Sequence, residues 1–264
     1  MSPGAYQNIS LDWQGPIARI TLNRPDKLNP LDWSTVKELK AAVAEVDARQ
    51  GALAAVITGS GRSFSAGGDL DGYIGLYRRP DDFAQFLEDF RQMLVGIETS
   101  SRIFVAAING VCVAGGLELL LACDIVYAAD TARIGDGHVN FGQLPGAGGS
   151  QRLPRAVGLT EAKHLILTGD LLPAAEAMRI GLVNKVVPAA DLDAAVTALT
   201  AKFQEKSPVG LATAKRLANM TLEHGLTEGL AREIAVVHRY ATTEHDATEG
   251  LIAFKEKRKP NFKG

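Results

Sequence analysis

Cysteine is scarce in this chain of 264 residues, and both copies, Cys112 and Cys123, stand in apolar surroundings without a C-x-x-C pair. That argues against a disulfide scaffold and against a thiolate zinc site. Long apolar runs are also missing. The best candidate, residues 111–122, is short of the roughly 20 residues a membrane helix needs and contains Glu118. No charge of one sign dominates, since 28 basic side chains face 30 acidic ones and leave a net charge of −2. Such a balance gives no general pull toward nucleic acid or an anionic membrane, so any phosphate recognition must be local. The start, Met1 to Ala5, has neither the charged and apolar pattern of a signal peptide nor an arginine-rich transit pattern, and a cytoplasmic protein is expected. Repeats and low-complexity tracts are absent too.

What is there is the composition of an ordinary globular protein, 46% apolar and 22% charged. Residues 17–22, 53–58, 103–108 and 125–128 read as strands. Asn29-Pro30 offers a cap and a first-turn proline for a helix whose apolar positions are Trp33, Val36, Leu39, Val43 and Val46. Phe83, Phe86, Leu87, Phe90, Leu94 and Ile97 form a second helical stripe, and residues 116–122 a short helix. Alternation of this kind predicts an α/β core. From about residue 191 the strand signals stop, and helices are expected over 190–206, 209–223, 226–243 and 248–258. The predicted organisation is therefore an α/β core over 1–195 and a helical region over 196–264.

Glycine, at 27 residues, exceeds the usual ~7%. Two clusters follow strands: Ser65-Ala66-Gly67-Gly68-Asp69 and Ala114-Gly115-Gly116-Leu117-Glu118. Each places backbone free of side chains at a strand end, and the second opens a helix, where free N–H groups favour negative charge. Either cluster alone is also what tight packing demands. Two such turns on neighbouring strands could aim two N–H groups at one developing oxyanion.

Residues 57–70, Ala107-Ile108-Asn109-Gly110 with Gly115-Gly116-Leu117-Glu118-Leu119, the string from Leu144 to Pro154, Ala175 to Val183 with Val186-Val187-Pro188, and the tail from Gly250 to Phe262 together resemble the crotonase superfamily of enoyl-CoA hydratases and isomerases. The likeness covers nearly the whole chain in order. It implies a crotonase-like spiral of ββα units with a helical C-terminal region that forms a homotrimer or a dimer of trimers. It further implies an acyl-CoA thioester whose carbonyl is held by the N–H groups of Gly68 and Gly115. Coenzyme A then arrives as part of the substrate, with no separate cofactor and no metal.

Glu118 stands where the family has its first catalytic glutamate. On its residues alone it is an acid in an apolar helix, and burying a carboxylate is costly and raises its pKa toward the acid–base range. The family's second glutamate is missing, and His138 occupies its place in Ile134-Gly135-Asp136-Gly137-His138. Histidine exchanges protons near neutrality without supplying a second negative charge. Hydration or isomerisation of an enoyl thioester is the first reading. A hydrolase or decarboxylase built on His138 is the second, and a non-catalytic acyl-CoA binder the third. Asp136 is expected to face solvent rather than to orient His138.

For the coenzyme, the resemblance implies contacts from Arg24, Lys27, Leu28, Ala66, Asp69 and Leu70, and from Phe254 and Lys257 in a basic tail. Asp71 departs from the lysine common in relatives. Tyr73, Tyr77 and the stripe from Phe83 are either an apolar acyl tunnel or core. Residues 146–151 lack the last glycine of a dinucleotide fingerprint, and no P-loop, G-x-S-x-G or H-E-x-x-H occurs. His238 and His245, beside Glu244 and Asp246, read as solvated surface.

Overall fold

The computed structural model describes residues 6–264, so the reading of Met1 to Ala5 lies outside the described residues. The chain opens with a hairpin of β1 (Ile9–Gln14) and β2 (Ile17–Leu22), followed by helix α1 (Trp33–Ala48). Then come β3 (Ala54–Gly59), β4 (Ser63–Ser65), α2 (Leu70–Tyr77) and α3 (Pro80–Thr99). The pattern repeats with β5 (Ile103–Ile108), β6 (Val111–Val113) and α4 (Gly115–Ala122), and again with β7 (Ile125–Ala129), β8 (Arg133–Gly135) and α5 (Gly149–Val157). After α6 (Leu159–Thr168) the chain adds β9 (Leu171–Pro173), α7 (Ala174–Arg179) and β10 (Lys185–Val187). It finishes with α8 (Leu192–Gln204), α9 (Pro208–Asn219), α10 (Leu226–Thr243) and α11 (His245–Lys255).

Each long strand and the short one after it belong to different sheets. The order β1-β2-β3-β5-β7-β10 makes a six-stranded sheet, and β4-β6-β8-β9 a four-stranded one. Every ββα unit therefore advances both sheets by one strand, and β3, β5 and β7 pair in parallel. Parallel strands covered on both faces need continuous apolar runs, which is why all six residues of β5 are buried. Helix α3 turns Phe86, Phe90, Met93, Leu94 and Ile97 into the core at helical spacing.

The strands expected over 17–22, 53–58, 103–108 and 125–128 are present to within a residue, and all four C-terminal helices are found. Residue 195 lies inside α8, which packs on β3, β5 and β7. The first helix starts later than expected. Asp32, not Asn29, is its cap, accepting from the Thr35 N–H at 2.8 Å. Asn29 adopts a left-handed φ of 55°, and its side chain bonds the Arg24 N–H and the carbonyls of Ser60 and Ser63. A polar side chain spent on three loop groups is not free to cap a helix.

His238 and His245 are exposed, as read, but the acid beside His245 is not. Asp246 is buried, taking bonds from the Ser207 hydroxyl and the N–H groups of Lys263 and Gly264, and Glu249 holds Arg258 through two oxygens. These two carboxylates pin the C-terminal tail to α11. Farther in, buried Lys215 of α9 joins Asp124 at 2.8 Å and the carbonyls of Ile97 and Arg102 at 2.8 and 2.9 Å. Among the described residues no helix is long and apolar enough to cross a membrane.

Candidate active site

The two glycine turns meet at the ends of β4 and β6, which are paired in parallel. Ser65 sets the first turn, donating its hydroxyl to the Asn29 carbonyl and accepting the Gly67 N–H. Gly67 has φ +90°, and a Cβ on it would lie 2.8 Å from Ala114 Cβ and 3.5 Å from the Gly115 nitrogen. Only glycine lets the turns approach so closely. At Gly68 a Cβ would collide with the Tyr73 ring, 2.3 Å away. The Gly68 and Gly115 N–H groups donate to no protein acceptor among the described residues.

Helix α4 carries Glu118 inward from the second turn. The carboxylate is 2% exposed, and its Oε1 accepts the N–H groups of Ala147 and Gly149 at 2.7 and 2.9 Å. Those donors belong to the glycine-rich segment that opens α5, a setting suited to an anion. Burial raises the Glu118 pKa, against the Gly149 and Ala147 hydrogen bonds and the nearby His138 charge. Its Oε2 stays free of these bonds and faces His138 Nε2 at 4.0 Å.

His138 begins a short 3-10 turn, His138–Phe141, after a left-handed Gly137. The expectation that Asp136 faces solvent is wrong. Asp136 is fully buried, and its Oδ1 lies 3.0 Å from His138 Nδ1. Burial works against a charged imidazole, but the Asp136 hydrogen bond and the Asp136 and Glu118 charges outweigh it and raise the His138 pKa. The sequence carried a signal only for the main-chain part of this contact, since an aspartate readily accepts the backbone N–H two residues on, here that of His138 at 3.3 Å.

A cavity of about 350 Å³ opens onto Glu118 and His138. Its far wall is Tyr73, Tyr77, Phe83, Phe86 and Phe90 from α2 and α3, and Phe86 and Phe90 serve both as core and as chamber lining. The Tyr77 hydroxyl donates to Gln143 across it. Tyr73, whose role as the cover of Gly68 the sequence did not disclose, has its phenol pKa pushed up by burial and by Glu118.

The other residues expected at the site divide in two. Leu28 and Ala66 adjoin the first turn, because the Leu28 carbonyl accepts the Ala66 N–H at 2.9 Å, and the Leu31 N–H reaches the Gly67 carbonyl at 2.7 Å. Asp69 caps α2, Leu70 is half-exposed beside it, Arg24 pairs with Asp32, and Lys27 sits on an exposed 3-10 turn. Phe254, 85% exposed on α11, and Lys257 just after it do not line the chamber.

Residues 12–264 match the family model for enoyl-CoA hydratase/isomerase. A probable enoyl-CoA hydratase of Mycobacterium bovis is 39% identical over 257 residues, covering 97% of this chain and 98% of the relative. A crotonyl-CoA hydratase of Syntrophomonas wolfei is 36% identical over 259 residues, covering 98% of each. Among solved structures, an enoyl-CoA hydratase from Bacillus anthracis superposes with a TM-score of 0.92 at 35% identity, covering 98% of this chain and all of that one. With its two interleaved sheets, facing glycine turns and buried Glu118, the chain belongs to the enoyl-CoA hydratase/isomerase family of the crotonase superfamily.

Proposed function

We propose that this enzyme adds water across the double bond of an enoyl-CoA thioester. The observation that carries the reading is the 4.0 Å gap between Glu118 Oε2 and His138 Nε2 at the inner end of an apolar chamber. One water can bond both atoms across that gap. Glu118 takes a proton from the water as its oxygen attacks the β carbon. The π electrons move onto the thioester oxygen, giving an enolate held by the Gly68 and Gly115 N–H groups. The proton then passes from Glu118 to the α carbon, and the thioester carbonyl is restored. Each fixed amide of such a cradle contributes about 3 to 4 kcal/mol to the transition state. In this scheme His138 orients the water, and its charge helps keep a buried carboxylate ionised.

The substrate brings its own coenzyme A, so neither a metal nor a separate cofactor enters these steps. Leu28, Ala66, Asp69 and Leu70 flank the first turn and are assigned to the pantetheine arm, with Arg24 and Lys27 toward the nucleotide. Phe254 and Lys257 suit the nucleotide of a neighbouring subunit in a trimer or a dimer of trimers. Leu226, Leu230, Ile234 and Val237 support that assembly, for they make an exposed apolar stripe along α10. A cytoplasmic location accords with this role.

A second reading, hydrolysis of a thioester or carbon–carbon bond with His138 as base, is favoured by the free Nε2 facing the chamber. A panel of enoyl, β-keto and cyclic acyl-CoA thioesters followed by product mass separates the two. Hydration adds one water to the acyl-CoA, whereas hydrolysis releases free CoA or a shortened acyl group. Glu118→Gln is expected to lower turnover by about 10²- to 10⁴-fold while leaving thioester affinity nearly intact. Wild-type rates in that variant would remove Glu118 from the mechanism, and tight binding with no turnover across the panel would make the chain a binder only.

A further inference from the structure

We infer that Asp136 is the positioning residue of this site, fixing the tautomer and direction of His138 while its main chain holds the turn that presents Gly115. The inference rests on the role given to His138 above. Three observations carry it. Asp136 Oδ1 takes both the His138 main-chain N–H at 3.3 Å and a bond from Nδ1 at 3.0 Å. The carboxylate thus clamps the residue at two points and leaves Nε2 as the nitrogen facing Glu118. Its carbonyl accepts the Ala114 N–H at 2.8 Å, and Ala114 holds a left-handed φ of 55° directly before Gly115. A non-glycine residue keeps such a backbone only where its surroundings enforce it.

The third observation is a cost. Asp136 is fully buried, and its Oδ2 has no hydrogen-bond partner among the described residues. A buried carboxylate with one bare oxygen is unfavourable where packing is the only purpose, because asparagine or an apolar residue would fill the space with less loss. A negative charge against Nδ1 does what neither replacement can. It selects the tautomer protonated on Nδ1 and stabilises the imidazolium when Nε2 gains a proton. Gly137 makes the geometry possible, with φ +67° and a Cβ position only 2.5 Å from Val113 Cγ2.

The test is a double-mutant cycle on the intact enzyme with an enoyl-CoA substrate that the wild type turns over. Asp136→Asn is expected to lower kcat by more than about tenfold, with KM nearly unchanged. His138→Ala lowers kcat by itself, and adding Asp136→Asn to it causes no further loss, because Asp136 acts through the imidazole. An equal additional loss would overturn the inference by showing a role in holding the fold. Wild-type kcat in Asp136→Asn would overturn it while leaving His138 in place, and wild-type kcat in His138→Ala would overturn both. Nitrogen NMR of His138 in the wild-type protein needs no variant to fold. Neutral His138 is expected to carry its proton on Nδ1, and a proton on Nε2 with a bare Nδ1 would contradict the assignment.

Discussion

Glu118 and His138 both hold their protons more tightly than free side chains do, and for different reasons. Burial drives the first, while the carboxylates of Asp136 and Glu118 overcome burial for the second. The sign of the effect on stability follows. A folded carboxyl with a raised pKa loses stability as pH climbs from its unfolded value, about 4.3, through the folded one. A raised imidazole pKa contributes stability that is complete below about 6.5 and is lost as pH rises through the folded value. Glu118→Gln removes the first cost and keeps an acceptor for the Ala147 and Gly149 N–H groups. Its melting temperature is therefore expected to gain on the wild type as pH goes from about 5 to about 8. A variant that loses ground over that range in thermal melts would contradict the burial argument. Glu118 and His138 were legible in the sequence through the resemblance, since one matches a catalytic glutamate and the other replaces one. Asp136 was not, because a single aspartate beside glycine is far more often a solvated turn than the buried partner of a histidine. The grip of Ala147 and Gly149 on Glu118 was hidden as well, since it joins residues about thirty positions apart.

Among the elements, α9 is tied to the sheet core by one buried cation. Lys215 satisfies Asp124 and the carbonyls of Ile97 and Arg102, so removing it strands a carboxylate whose pKa burial already raises. Lys215→Met is expected to cost about 3 to 5 kcal/mol in urea unfolding. Adding Asp124→Leu should recover part of that, because it removes the stranded charge, although the Phe104 N–H that Asp124 accepts at 2.7 Å loses its partner. A loss below about 1 kcal/mol for Lys215→Met would mean that Asp124 finds water instead. The longer strands and the C-terminal helices were readable because apolar spacing is strong over five or more residues. Three-residue strands such as β4, β6 and β8 carry no period of their own and exist only by pairing with one another. The hairpin strand β1 was legible but unread, since Ile9, Leu11 and Trp13 alternate with polar residues as a strand with one covered face does. The delayed start of α1 was not legible, for Asn29 and Asp32 are both good caps locally and the contacts of Asn29 with Ser60 and Ser63 decide between them.

For the whole molecule, the family likeness, the interleaved sheets and the apolar stripe on α10 point the same way. The enzyme is expected to sediment as three or six chains, and Ile234→Asp to shift it toward smaller species. Ultracentrifugation that finds a single chain for the wild type would remove the assembly, and with it the assignment of Phe254 and Lys257 to a neighbour's nucleotide. The α/β core and the helical end were legible as a pattern. The meeting of two glycine turns across 47 positions of sequence, from Gly68 to Gly115, became a site only when β4 and β6 paired. That meeting is the centre of the proposed mechanism, and a crystal structure with an unreactive acyl-CoA tests it most directly. The account predicts the thioester oxygen about 2.7 to 3.1 Å from both the Gly68 and Gly115 nitrogens, with the α and β carbons facing Glu118 Oε2 and His138 Nε2. A bound acyl group whose carbonyl turns away from both amides would contradict it.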